Sequence, residues 1–109
     1  MDYVLEVNRI EAMFMEEYLQ DIERLYQNKD CIFREEEGGA FLFDPGTGNL
    51  KFINSMGVNI YELCDGKITV GEIAALVIDN YKDISSKQIE DDVKTFLKSL
   101  LDMGFLKRN

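Results

Sequence analysis

The residues in this chain that could do chemistry are few, and their spacing keeps them from acting together. Cys31 and Cys64 are the only thiols, they form no Cys-x-x-Cys pair, and the chain has no histidine. That set assembles neither a tetrahedral zinc site nor a base that could activate a cysteine nucleophile. The two cysteines read as buried reduced thiols, with a disulfide left open by the sequence. Asp91 and Asp92 are neighbours, so on a helix they face different sides and do not make a paired acid and base. Asp44-Pro45-Gly46-Thr47-Gly48-Asn49 is rich in glycine but has no lysine, and it reads as a loop, not a phosphate cradle. The run Glu35-Glu36-Glu37 reads as a solvated strand end, with a docking site for a basic partner as the sharper alternative. The expectation is a chain without catalytic residues, metal or cofactor.

Composition excludes further function classes. The chain has 109 residues, 46% hydrophobic and 30% charged, which fits one globular domain with little surplus core. Its formal net charge is -9. Nucleic-acid surfaces need clustered Lys and Arg, and anionic membranes attract the same residues, so neither is an expected partner. No apolar run approaches the roughly 20 residues of a membrane span. Met1-Asp2-Tyr3 lacks the basic start of a signal peptide, and the expected location is the cytoplasm.

These residues must be positioned by three zones. In the first, Ile10, Met13, Phe14, Tyr18, Ile22, Leu25 and Tyr26 recur at steps of three and four, and Asn8 with Glu11 resembles a capping pair. The spacing predicts an amphipathic helix from Arg9 to Asn28, with Met15 and Leu19 widening its apolar face. In the second, Cys31-Ile32-Phe33-Arg34, Ala40-Phe41-Leu42-Phe43 and Leu50-Lys51-Phe52-Ile53 read as strands. They are separated by Gly38-Gly39 and by the Asp44–Asn49 turn, which predicts a three-stranded antiparallel meander. In the third, Asn54 or Ser55 caps a helix ended by Asp65-Gly66. Thr69 with Glu72, and Ser85 with Gln88, form capping boxes for two more. Gly104 ends the last helix, and Phe105-Leu106 closes on the core. The fold class is α+β and winged-helix-like: three antiparallel strands, then three helices, with an additional N-terminal amphipathic helix. A three-stranded sheet has two edges, and an open edge is a place for another chain to add a strand.

The stretch Phe52-Ile53-Asn54-Ser55-Met56-Gly57-Val58-Asn59-Ile60-Tyr61-Glu62-Leu63-Cys64-Asp65-Gly66 is followed by Thr69-Val70-Gly71-Glu72-Ile73-Ala74. The chain then closes with Asp92-Val93, Phe96-Leu97, Leu100 and Gly104-Phe105-Leu106. This ordered set, from Cys31 to Leu106, resembles the PqqD family. The resemblance implies a RiPP recognition element, a domain that binds the leader of a ribosomally made precursor peptide and presents it to a maturase, often a radical SAM enzyme. It implies that the leader adds as a strand along Leu50, Lys51, Phe52 and Ile53. It further implies a groove lined by Asp92, Val93, Phe96, Leu97 and Leu100 of the last helix. On this reading residues 1–29 are a helical extension and 30–109 the peptide-binding domain. The family's usual pattern has no counterpart of the first segment, so the edge is either free, covered by that segment or completed by a second chain.

Two rival readings stand beside this one. An acidic assembly subunit would form a homodimer through the first helix, whose Met and aromatic residues need a surface to pack on. A DNA-binding regulator would use the winged-helix-like arrangement. It is opposed by the net charge and by Glu90, Asp91 and Asp92 at the start of the last helix.

Overall fold

In the computed structural model, residues 2–8, 10 and 19–108 are described. Among the described residues, five strands and three helices follow one another: β1 (Leu25–Gln27), β2 (Ile32–Glu36), β3 (Gly39–Phe43), β4 (Leu50–Asn54), α1 (Ser55–Glu62), α2 (Val70–Asn80), α3 (Ser86–Asp102) and β5 (Leu106–Arg108). The meander is present in the order β2-β3-β4, antiparallel throughout. Its register pairs Phe33 with Leu42 and Leu42 with Lys51, and Ala40 with Ile53. Gly38 turns the first hairpin at φ 80, a conformation that favours glycine. Gly39 is glycine for another reason: a Cβ there would lie 2.0 Å from the Ile53 carbonyl oxygen, so the close approach of β3 to β4 depends on it.

The side chains alternate along these strands as the pleat requires. Ala40, Leu42 and Ile53 point into the core, while Ile32, Leu50 and Phe52 are exposed. The helices cover the inner face. Each begins where a side chain satisfies a free backbone N–H. Asn54 Oδ1 accepts from the Gly57 N–H, Thr69 Oγ1 from Glu72, and Ser85 Oγ from Gln88. At α2 the account is complete. Glu72 returns a bond to the Thr69 N–H, Ile73 N–H reaches the Thr69 carbonyl, and the Val70 and Gly71 N–H groups donate to the carbonyls of Glu23 and Asp21. At the far end of α3, Gly104 takes φ 87 and its N–H donates to the Leu101 carbonyl. The Phe105 N–H reaches back to Leu100, so the helix closes as a Schellman motif. Phe105 and Leu100 are both fully buried, the apolar contact that this motif favours.

The N-terminal helix requires a correction. Over the second half of the predicted span, Arg9 to Asn28, the chain is not helical. Residues 19–24 hold a turn at Asp21 and Ile22 and no helix, and Leu25–Gln27 is strand β1, paired antiparallel with β5. Residues 11–18 of that span lie outside the described residues. The reason is tertiary. Ile22, Leu25 and Tyr26 keep helical spacing, but pairing with β5 buries Leu25 and leaves Tyr26 and Ile22 exposed, an arrangement with no helical stripe. Long-range bonds hold the segment: Gln27 N–H donates to the Cys64 carbonyl, Gly66 N–H to Leu25, and Asn28 N–H to Phe105. Ion pairs add Asp21 to Lys94 at 2.6 Å and Glu23 to Arg108 at 2.7 Å. No helix among the described residues is long and apolar enough to cross a membrane.

Candidate peptide-binding groove

Two points of contact relate strand β4 to helix α3, and their order shows the two running in opposite directions. At one end, Asn49 Nδ2 donates to the Met103 carbonyl at 2.9 Å, which ties the start of β4 to the end of α3. Toward the other end, Phe96 and Ile53 meet across Gly57. A Cβ on that glycine would come within 3.0 Å of the Phe96 ring and 3.2 Å of Ile53, so α1 sits tightly on both.

Among the described residues β4 is an edge strand: one side pairs with β3 and the other has no ladder partner. The hairpin geometry shows which groups face that open side. Asp44 N–H donates to the Asn49 carbonyl, which makes that pair a hydrogen-bonded one. In an antiparallel ladder such pairs alternate. Lys51 with Leu42 and Ile53 with Ala40 are therefore hydrogen-bonded, and Leu50 and Phe52 turn their N–H and C=O groups outward, as does the Asn54 N–H, while the Asn54 C=O starts the first turn of α1. The free edge thus offers main-chain donors and acceptors at every second residue, the pattern that an added strand reads.

The side chains of the predicted edge divide between two faces. Ile53 is in the core and Lys51 is half-buried on the same face. Leu50 and Phe52, 59% and 41% exposed, lie on the outer face with Ile32, Arg34, Phe41 and Phe43. The Phe41 and Phe52 rings meet edge to face at 5.2 Å. Five of these six residues, all but Phe52, line a shallow depression of about 410 Å³. The sequence contained that surface as strand alternation, but named only its β4 members.

On α3 the structure places all five predicted groove residues out of solvent. Asp92, Val93, Leu97 and Leu100 are fully buried and Phe96 nearly so. Asp91 is exposed and paired with Lys87 at 2.9 Å, so the two adjacent aspartates do face different sides. A buried carboxylate needs a donor, and Tyr3 supplies one: its hydroxyl donates to Asp92 Oδ2 at 2.5 Å. This contact, from the first residues of the chain to the predicted groove, has no signal in the sequence.

The two thiols are held in their unreactive form. Burial pushes the Cys64 thiol up to about 12, with Asp65 adding to the shift. Burial also raises Cys31, with Asp44 and Asp30 beside it, and raises the Tyr61 hydroxyl to about 12. The thiolate is the reactive form, so a raised value lowers reactivity at every pH below it. At pH 8 we expect iodoacetamide to label Cys31 more slowly than free cysteine, and to leave Cys64 unlabelled until the protein is unfolded. Mass spectrometry of native and guanidinium-treated samples checks this, and prompt native labelling of Cys64 would contradict it. The lysines of α3 are engaged with carboxylates: Lys87 with Asp91, Lys94 with Asp21 and Glu90, Lys98 with Asp102. A helix so paired has little cationic surface to give a phosphate backbone. Among the described residues no group of three or more acidic or thiol side chains is placed to hold a metal.

Known proteins can now be set beside this geometry. Residues 39–106 match the family described as Coenzyme PQQ synthesis protein D (PqqD). No curated protein matches the chain. Two solved structures share its fold. TbiB1, solved in complex with the TbiA(beta) leader peptide, is 18% identical with a TM-score of 0.64, over 75% of this chain and 94% of its own. The PqqD truncation of Methylobacterium extorquens PqqCD, described as a functional and stand-alone RiPP recognition element, is 24% identical with a TM-score of 0.60. That match covers 90% of this chain and 99% of the truncation. The family match takes in β3, β4, all three helices and the start of β5, the whole frame of the groove, and on that ground the chain belongs to the PqqD family.

Proposed function

We propose that the chain is a RiPP recognition element. It captures the leader of a ribosomally made precursor peptide as an added strand on β4, and presents that peptide to a separate modifying enzyme. The observation that carries this reading is the open edge of β4 beside α3, in a fold shared with TbiB1, which was solved with a leader peptide bound. Main-chain bonds to the outward groups of Leu50, Phe52 and Asn54 would supply affinity. Side chains of alternate leader residues would reach toward α3 and supply specificity. The resemblance that names the groove residues also names a radical SAM enzyme as the partner class. The order of three strands and three helices fits the winged-helix-like arrangement that goes with it.

The test is a titration of the full chain with a labelled leader peptide from the precursor gene that neighbours its own. Saturable binding at micromolar concentrations supports the reading. No binding at tens of micromolar, with the protein folded by circular dichroism, would sink it.

A further inference from the structure

The first described residues of the chain reach both walls of this groove. Tyr3 places its hydroxyl on Asp92 and its ring edge-on to Tyr81, with centroids 5.4 Å apart. The next residue, Val4, accepts a bond at its carbonyl from Asn54 Nδ2 at 2.7 Å. Asn54 ends β4 and Asp92 belongs to α3, so two successive residues touch both walls of the groove. From there the covered and exposed residues alternate. Tyr3, Leu5 and Val7 pack on the core, with Leu5 fully inside it, while Val4, Glu6 and Asn8 face solvent. A period of two is the signature of an extended chain lying on a surface, and it is the pattern by which an added strand is recognised. Yet among the described residues no ladder joins this segment to β4.

We propose that residues 2–8 form an intramolecular strap that occupies the leader groove without pairing along the β4 edge and must be displaced when a leader binds. The proposal rests on the leader-binding reading above and adds two things to it. It makes binding competitive: a short tether holds the strap at an effective concentration of about millimolar, so only a peptide that also pairs with the β4 edge displaces it. It also names the ligand's chemistry. The strap reads Tyr3-x-Leu5-x-Val7, so the groove accepts an extended peptide with an aromatic, hydrogen-bond-donating residue followed by aliphatic residues at every second position. Strap and leader differ in one respect that favours the leader, the main-chain ladder with β4 that the strap does not form.

The test uses a fluorescein-labelled synthetic peptide with the sequence of residues 2–10, titrated by anisotropy against the full chain and its Tyr3→Ala and Leu5→Asp variants. A loosened strap leaves the groove free, so the variants bind the probe about ten-fold or more tighter than wild type. A scrambled peptide binds none of them. Equal affinity in all three folded proteins, or no binding by either variant, overturns the proposal. Leu5 lies in the core, so Leu5→Asp risks the fold; Tyr3 is half-exposed, and Tyr3→Ala does not. A second measurement needs no variant. A strap opens locally, so chymotrypsin cleaves wild type within residues 3–5 at a rate unchanged by low denaturant. Cleavage only on global unfolding means that the segment is fixed core and overturns the proposal. A precursor leader, titrated in parallel, separates the two readings. If it binds wild type and Tyr3→Ala equally, the strap fails and leader capture stands. If it binds neither while the synthetic peptide prefers Tyr3→Ala, the strap stands and leader capture fails.

Discussion

Phe52→Pro should abolish most leader binding and leave the fold standing, whereas Lys51→Pro, one residue away, should destabilise the fold itself. The contrast follows from the alternation of the β3–β4 ladder. Proline lacks the N–H and fixes φ near a value that an edge strand tolerates. At Phe52 the N–H points to the open side, so its removal costs β3 nothing and takes one donor from an incoming strand. The loss of that bond, with an orphaned acceptor on the peptide, is worth about 1–3 kcal/mol, or roughly ten- to hundred-fold in affinity. At Lys51 the N–H belongs to the pair with Leu42, and its loss falls on stability by a similar amount. Phe52→Ala is the control. It removes an outer-face ring worth about 0.2–1 kcal/mol in cross-strand contact, and so less than about five-fold. Leader titrations by fluorescence anisotropy and thermal melts of the three variants decide the matter. If Phe52→Pro is folded and binds the leader like wild type, the leader does not add to β4.

That experiment can be designed at all because the local half of this structure is legible in the sequence. The strand zones, the Gly38 turn, the Asn54, Thr69 and Ser85 caps and the Gly104 stop are each written within four residues of where they act, and the structure has them all. What the sequence does not show is what distant residues do to one another. β1 and β5 are three residues each and sit at opposite ends of the chain. Neither has a pattern strong enough to announce a strand, and the helical spacing of Ile22, Leu25 and Tyr26 points the other way. Tertiary pairing settles the contest, since one helical turn in isolation is worth little.

The groove shows the same division. Resemblance names β4 and α3 as its walls, and the structure ties the start of one to the end of the other through Asn49 and Met103. The apolar positions of α3 could not be sorted from sequence into core and groove, because both want the same residues at the same helical spacing. In the structure all five are covered. Part of that cover is the N-terminal segment, whose contact with Asp92 spans nearly the whole chain. The alternation Tyr3, Leu5, Val7 was present in the letters, but a run this short next to a helical pattern carries no weight until its partner surface is known.

The largest loss of stability is expected from Phe105→Ala. Phe105 is the largest of the fully buried side chains, and its position is fixed by the backbone on both sides. Its N–H closes the Schellman motif on Leu100, and its carbonyl accepts from Asn28, the residue that follows β1. These bonds belong to the main chain and survive the substitution, so the surrounding frame cannot collapse readily into the space left by the ring. Removing a buried aromatic ring costs about 3–5 kcal/mol, the transfer term plus the cavity term, and a rigid frame puts this site at the upper end. A domain of this size has about 5–15 kcal/mol in all, so the variant would lose a large share of its stability and its melting temperature would fall by more than about 12 °C. Phe105→Leu keeps most of the volume and should cost less than about 1.5 kcal/mol. Urea denaturation followed by circular dichroism measures both. A loss below about 1 kcal/mol for Phe105→Ala would mean that the ring is not a keystone between α3 and the β1–β5 pair, and that the C-terminal strand docks by its main chain alone.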